Sequence, residues 1–219
     1  MLKKILVGLA AVILLFVGFV VTRPDTFTYQ RTAVLPVSAD IAFALVSDFR
    51  RWTDWSPWDG LDPQQKRTYS GPESGTGAGY TWVGNDQVGE GRMTITDSKA
   101  NEQVTIKLEF IKPFAATNTT TFTFSAAEGG TQVAWAMSGE NNFVSKAMSL
   151  FMDMEAMIGK DFEKGLATMK DVAVADAKKR AEAEAARVAE EKARAEAEAA
   201  AAAVPAGEGA PAVAAPAVP

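Results

Sequence analysis

The chain has 219 residues, a net charge of −5, and neither cysteine nor histidine. Those absences exclude cysteine nucleophiles, disulfides, thiolate or imidazole metal sites and any Ser-His-Asp triad. The acidic balance, with no clustered basic segment, excludes the electrostatic footprint of a nucleic-acid binder.

In chain order, residues 1–4 carry Lys3 and Lys4, and Ile5–Val21 follows as seventeen uninterrupted apolar residues. As a helix this run is about 26 Å long, close to the hydrocarbon thickness of a bilayer. The residues after it, Thr22-Arg23-Pro24, lack a small-x-small cleavage site. The run therefore reads as an uncleaved signal anchor over residues 5–21. Lys3 and Lys4 outweigh Arg23, so the N-terminus is expected in the cytoplasm and the rest on the extracytoplasmic, periplasmic side.

Residues 22–170 are enough for one domain with a real core. Phe27–Leu35 reads as an opening strand ending at Pro36. Ser38 then stands as an N-cap, with Asp40 in the first turn of a short apolar helix that ends near Asp48. Phe49–Trp55 reads as a second short helix or turn. The segment Trp52-Thr-Asp-Trp55-Ser-Pro-Trp58 fits neither a helical stripe nor an alternating strand, because Pro57 removes a donor and disfavours helix at Ser56. The ordinary reading of such a cluster is a core plug, and the sharper one is the wall of an apolar pocket. Trp52 and Trp55 are expected in the core, and Trp58 at a rim.

Gln64–Tyr69 leads into the turn-rich GPESGTGAG. Five strand signals follow. Tyr80 and Trp82 alternate with smaller residues. After the hairpin or bulge signal at Gly89–Gly91, so do Met93 and Ile95. Val104, Ile106, Leu108 and Phe110 form a third alternating set, then Phe122 and Phe124, then Val133, Trp135 and Met137 after a turn at Glu128–Gly130. This spacing predicts an antiparallel sheet with one apolar face. A long helix is predicted over Phe143–Lys170, with Ala147, Leu150, Phe151, Met154, Ile158, Phe162, Leu166 and Met169 in one stripe. Further methionines at 148, 152 and 157 add adaptable apolar surface.

Residues 171–203 are rich in Ala, Glu, Lys and Arg, with Asp176/Arg180 and Glu190/Arg194 as i,i+4 pairs. Val188 is the only large apolar residue in Asp176–Ala203, so a solvated single helix is expected rather than a coiled coil. Residues 204–219 are Pro/Ala-rich and read as a disordered spacer whose partner is unknown.

Five segments in this order resemble the START-like, or SRPBCC, superfamily, in its bacterial polyketide cyclase/dehydrase-and-lipid-transport branch. They are WTDWSPWDGLDP, YSGPESGTGAGYTW, GEGRMTI, EGGTQVAWAM and IGKDFEKGLATMK. The resemblance covers Thr28–Lys170. It implies an α+β helix-grip fold, a curved antiparallel sheet around a long C-terminal helix, with an internal cavity for hydrophobic ligands and no universal catalytic motif.

The cavity is then expected to draw Tyr80, Trp82, Met93 and Ile95 from two strands, and Val104, Ile106 and Leu108 from a third. Phe122, Phe124, Trp135 and Met137 would come from the last two strands, Phe151, Met154 and Ile158 from the helix, and Trp58 from the rim. Among acid–base candidates, Glu90 and Arg92 point to solvent unless a bulge intervenes. Tyr80, Glu155 and Asp161 form no tuned pair. No cofactor or metal is expected. The favoured function is membrane-anchored binding or transfer of a hydrophobic small molecule or lipid. A polyketide cyclase/dehydratase-like enzyme and a non-catalytic structural protein of the cell envelope are the alternatives.

Overall fold

The computed structural model describes residues 1–202, which fall in two compact units divided at Ala177 and Lys178. The expectation for residues 204–219 lies outside the described residues. In the first unit, helix α1 (Leu2–Val21) is long and apolar enough to cross a membrane, a property that signal sequences share. Strand β1 (Thr26–Leu35) follows, then helix α2 (Ala39–Ser47) and two 3-10 turns, Phe49–Asp54 and Asp59–Leu61. Ser38 does hold the N-cap position of α2, but its side chain makes no capping hydrogen bond.

Six more strands complete the sheet: β2 (Lys66–Ser70), β3 (Gly79–Val83), β4 (Glu90–Lys99), β5 (Gln103–Lys112), β6 (Ala116–Ala127) and β7 (Gly130–Glu140). The strand order is β1-β7-β6-β5-β4-β3-β2, antiparallel throughout. β2, which no alternating apolar set announces, is an edge strand. The register shifts between Glu90 and Gly91, where the sequence carries its bulge signal. The ring of Trp82 lies over Gly91, where any side chain would collide with it.

The predicted single helix over Phe143–Lys170 is two helices, α3 (Phe143–Met148) and α4 (Met154–Ala202). The break has a local cause. Asn142 caps α3 through Ser145 N at 2.9 Å. Asp153 starts a fresh helix, its side chain accepting from Ala156 N at 3.0 Å and its carbonyl from Met157 N at 3.1 Å. The apolar stripe therefore runs from Ile158 through Phe162, Leu166 and Met169 to Ala173, the last four of these fully buried. Arg51 Nη2 donates to Asp176 Oδ2 at 2.7 Å, so packing reaches beyond Lys170.

The core sits between the concave face of the sheet and the helices. α2 covers β5, β6 and β7 toward the Leu35 end of β1, with Phe43 edge-on to Phe124 at 5.7 Å. Trp52 and Trp55 are pinned beneath it, their indole N–H groups donating to Val46 O at 3.0 Å and Leu45 O at 2.9 Å. In the second unit the described residues are helical, with Arg187–Glu184, Lys178–Glu182 and Lys192–Glu196 ion pairs along the helix and Val188 exposed.

Candidate functional site

The strand register defines two ends of the sheet. Thr26 pairs with Glu140, Asn118 with Gly139, Phe110 with Ala116, Lys112 with Glu90, Glu90 with Val83, and Val83 with Lys66. This row marks the end of the sheet reached first after α1. At the opposite end α2 fills the concavity. Nine residues of helix span only about 14 Å, so α2 does not reach the first end. What it leaves uncovered is a cavity of about 260 Å³.

The placement of the expected residues follows from that geometry. Trp58, Tyr80, Trp82, Met93, Leu108, Trp135, Met137 and Ile158 line the cavity. Ile95, Val104, Ile106, Phe122 and Phe124 share the same face of the sheet but are close-packed core away from the lining. Met154, half-buried at the first turn of α4, stays outside it, and Phe151 is 79% exposed on the turn between α3 and α4. Face parity is common to all the strand residues. Depth along the strand separates wall from core.

Sequence reasoning missed several wall residues. Phe110 and Thr120 belong to alternating sets whose parity was visible, and Phe162 to the helical stripe. Trp52 is both core and wall. Ser56, Asp59, Gln65, Gln87 and Val88 come from loops with no periodic signal.

The walls are mainly aromatic. Trp135 stacks on Phe162 at 4.1 Å and meets Trp58 edge-on at 5.7 Å. Its indole N–H is buried without a hydrogen-bond partner among the described residues. Tyr80 stacks with Trp82 at 5.8 Å, and Trp82 Nε1 is held by Val88 O at 2.9 Å.

One corner is polar. Asp59 Oδ1 accepts from Gln65 Nε2 at 3.1 Å, Arg67 Nε at 3.0 Å and Arg67 Nη2 at 2.7 Å. Burial pushes the Tyr80 phenol up to about 12, against the opposing pull of Arg67, so it is neutral at pH 7 and can donate a hydrogen bond. These donors fix the Asp59 carboxyl at the cavity wall, an arrangement suited to orienting a polar group. Glu90 and Arg92 take no part. Arg92 pairs with Glu109 at 2.7 Å and Glu90 with Lys112 at 2.8 Å. Among the described residues no three acidic side chains converge as metal ligands.

The solved structures that share this fold include two with TM-scores of 0.50 or above. A Staphylococcus aureus protein of unknown function, SA2116, is 13% identical with a TM-score of 0.54, over 70% of this chain and 97% of that one. The di-domain ARO/CYC StfQ from the steffimycin biosynthetic pathway is 9% identical with a TM-score of 0.50, over 70% of this chain and 52% of that one. No curated protein sequence matches the chain. The family profile described as polyketide cyclase / dehydrase and lipid transport matches residues 26–174, well over half of the sequence and the whole of the sheet and cavity, and the chain belongs to that family.

Proposed function

We propose that this chain binds a compact hydrophobic small molecule in the cavity beneath Trp58, and that α1 tethers it to a membrane with the N-terminus cytoplasmic and the domain on the extracytoplasmic side. The observation that carries the reading is a half-filled core. An aromatic-walled void with one polar corner persists in a fold whose other half is close-packed. The volume narrows the ligand class. At about 260 Å³ the cavity lies just under the range of drug-sized sites, which suits a ring system or a short single chain. A two-chain lipid would have to leave most of its length outside. Apolar burial supplies the affinity, and Tyr80 with Asp59, the latter braced by Arg67, orients a polar substituent. A purely structural envelope role calls for a filled core instead.

Native mass spectrometry of the full chain released from nanodiscs tests this reading. A bound compound is expected on the wild type and absent from Leu108→Trp, which fills the cavity. An apo mass for the wild type after gentle extraction overturns the proposal.

A cyclase or dehydratase is the second reading, favoured by one observation: a neutral phenol and a carboxylate both line the cavity. It requires Tyr80→Phe to abolish turnover of a bound polyketide-like substrate while leaving its retention intact.

A further inference from the structure

The end of the sheet at which the cavity lies is tied closely to α1. Only Thr22–Asp25 separate α1 from β1, a span of at most about 14 Å when fully extended. That connection is fastened to the segment entering α3. Asn141 N donates to Asp25 O at 2.7 Å and Asn141 Nδ2 to Pro24 O at 3.2 Å, while Lys146 forms an ion pair with Asp25. α1 itself packs on α3, and Val20 is fully buried. Arg23 folds back over the Phe19 ring at 4.5 Å, the behaviour of a cation at the end of an apolar helix.

The surface beside this junction is unusually apolar. Phe143, Val144 and Met148 of α3 are exposed, as is Phe151 on the following turn. On the same sheet end, Ile111 near the end of β5 and Phe114 in the β5–β6 connection are exposed, the latter by 71%. Scattered apolar side chains on a soluble surface need no explanation, but a group gathered around the exit of a membrane-length helix does.

We propose that this end of the domain rests in the headgroup region of the bilayer that α1 spans, with α3, Phe151 and Phe114 inserted as interfacial anchors. It follows that Gln87, the exposed residue of the cavity lining, and the half-buried Val88 and Phe110 near the same sheet end face the lipid surface. The short connection favours lipid over any other occupant, because about 14 Å leaves no room for a protein layer between the sheet end and the bilayer. Amphipathic segments of this kind bury their apolar side chains about 5–10 Å into the headgroup and acyl boundary. The proposal rests on the reading of α1 as a membrane anchor, and the test separates the two.

The chain has no cysteine, so single substitutions Leu14→Cys, Phe114→Cys, Thr123→Cys and Phe151→Cys each take one nitrobenzoxadiazole label in the full chain. The labelled proteins go into phosphatidylcholine–phosphatidylglycerol vesicles holding a spin-labelled lipid quencher, either shallow or mid-chain. The label at position 14 should be quenched by the mid-chain probe, and those at 114 and 151 by the shallow probe, several-fold more than at 123 on the outer face of β6. Quenching at 14 with 114 and 151 no different from 123 overturns the interfacial placement and leaves the anchor standing. No quenching at 14 overturns both. Disulfide-linked dimers of unlabelled Phe151→Cys, with no lipid quenching at 151, would assign this face to a second copy of the chain and overturn the proposal.

Discussion

Phe162 lies almost parallel to Trp135, with 10° between the ring planes and 4.1 Å between centroids, and this stack joins α4 to the middle of β7. It is also a wall of the cavity, so a change at Phe162 alters stability and cavity volume together. Phe162→Ala removes a buried ring that the surroundings cannot replace. A loss of about 3–5 kcal/mol is expected, or on the order of 10 °C in thermal unfolding followed by near-UV circular dichroism in detergent. Naphthalene should raise the melting temperature of the variant more than that of the wild type, because the enlarged void is apolar. A variant as stable as the wild type would mean that the stack does not close the fold.

Ile106 and Leu108 are two residues apart on the same face of β5, yet one is core and the other wall. Ile106→Ala opens a new void in close-packed surroundings and should cost about 2–5 kcal/mol. Leu108→Ala only widens a space that already exists, and half-burial limits what it loses. A cost below about 1.5 kcal/mol is expected there, from the transfer of fewer methylene groups. Denaturant midpoints measure the contrast. Retention of the bound compound should respond in the opposite pattern, changing in Leu108→Ala and not in Ile106→Ala.

That pair shows how far the residues alone define the site. A period of two reveals which side of a strand faces inward, and on that basis Tyr80, Trp82, Met93, Leu108, Trp135 and Met137 were legible as inward-facing. It carries no information on where α2 and the Trp52–Trp55 turn come to rest, and Val104, Ile106, Phe122 and Phe124 are solid core because those elements pack on β5 and β6. Phe151 failed for a different reason. Its i+3/i+4 spacing continues across Asp153, but Asp153 caps a new helix, so the stripe is interrupted and the ring turns to solvent. The polar corner joins Asp59 from a 3-10 turn to Arg67 on an unannounced edge strand. Such a contact exists only in the folded chain.

On the outer face, Arg92 and Glu109 are register partners joined by two hydrogen bonds, at 2.7 and 2.9 Å, and Lys107 adds a contact at 2.9 Å. The Arg92 hydrogen bond first, then that of Lys107, lowers the Glu109 carboxyl from 4.5 to about 2. A depressed carboxyl contributes stability above its unfolded pKa and loses it as pH falls through the folded value. Glu109→Gln should therefore cost about 2 °C in melting temperature at pH 7, a modest figure because the site is solvated. The gap between variant and wild type should close as pH falls from 4.5 to about 2. High salt should also narrow it at pH 7. A gap independent of pH would place the effect in packing rather than charge.

Gly159 and Gly165 both lie inside α4, where glycine costs about 1 kcal/mol relative to alanine. They are expected to respond to that substitution with opposite signs. A Cβ on Gly165 would sit 2.8 Å from Trp135 Cζ3 and 3.0 Å from Pro57 Cδ. Neither group can yield, since the tryptophan is stacked on Phe162 and the proline belongs to a buried turn. Overpacking of that kind costs about 1–3 kcal/mol, which outweighs the gain in helix propensity. At Gly159 the obstacle is the guanidinium tip of Arg31, which is paired to Glu163 at 2.7 Å and Glu155 at 3.6 Å at the surface. That flexible tip can swing away at a cost of no more than about 1 kcal/mol, so Gly159→Ala should be neutral or slightly stabilising. Denaturant titration of the two variants distinguishes these cases. Stabilisation by Gly165→Ala equal to that of Gly159→Ala would mean that α4 is not seated against the Trp135 ring, and the cavity wall it completes would have to be redrawn.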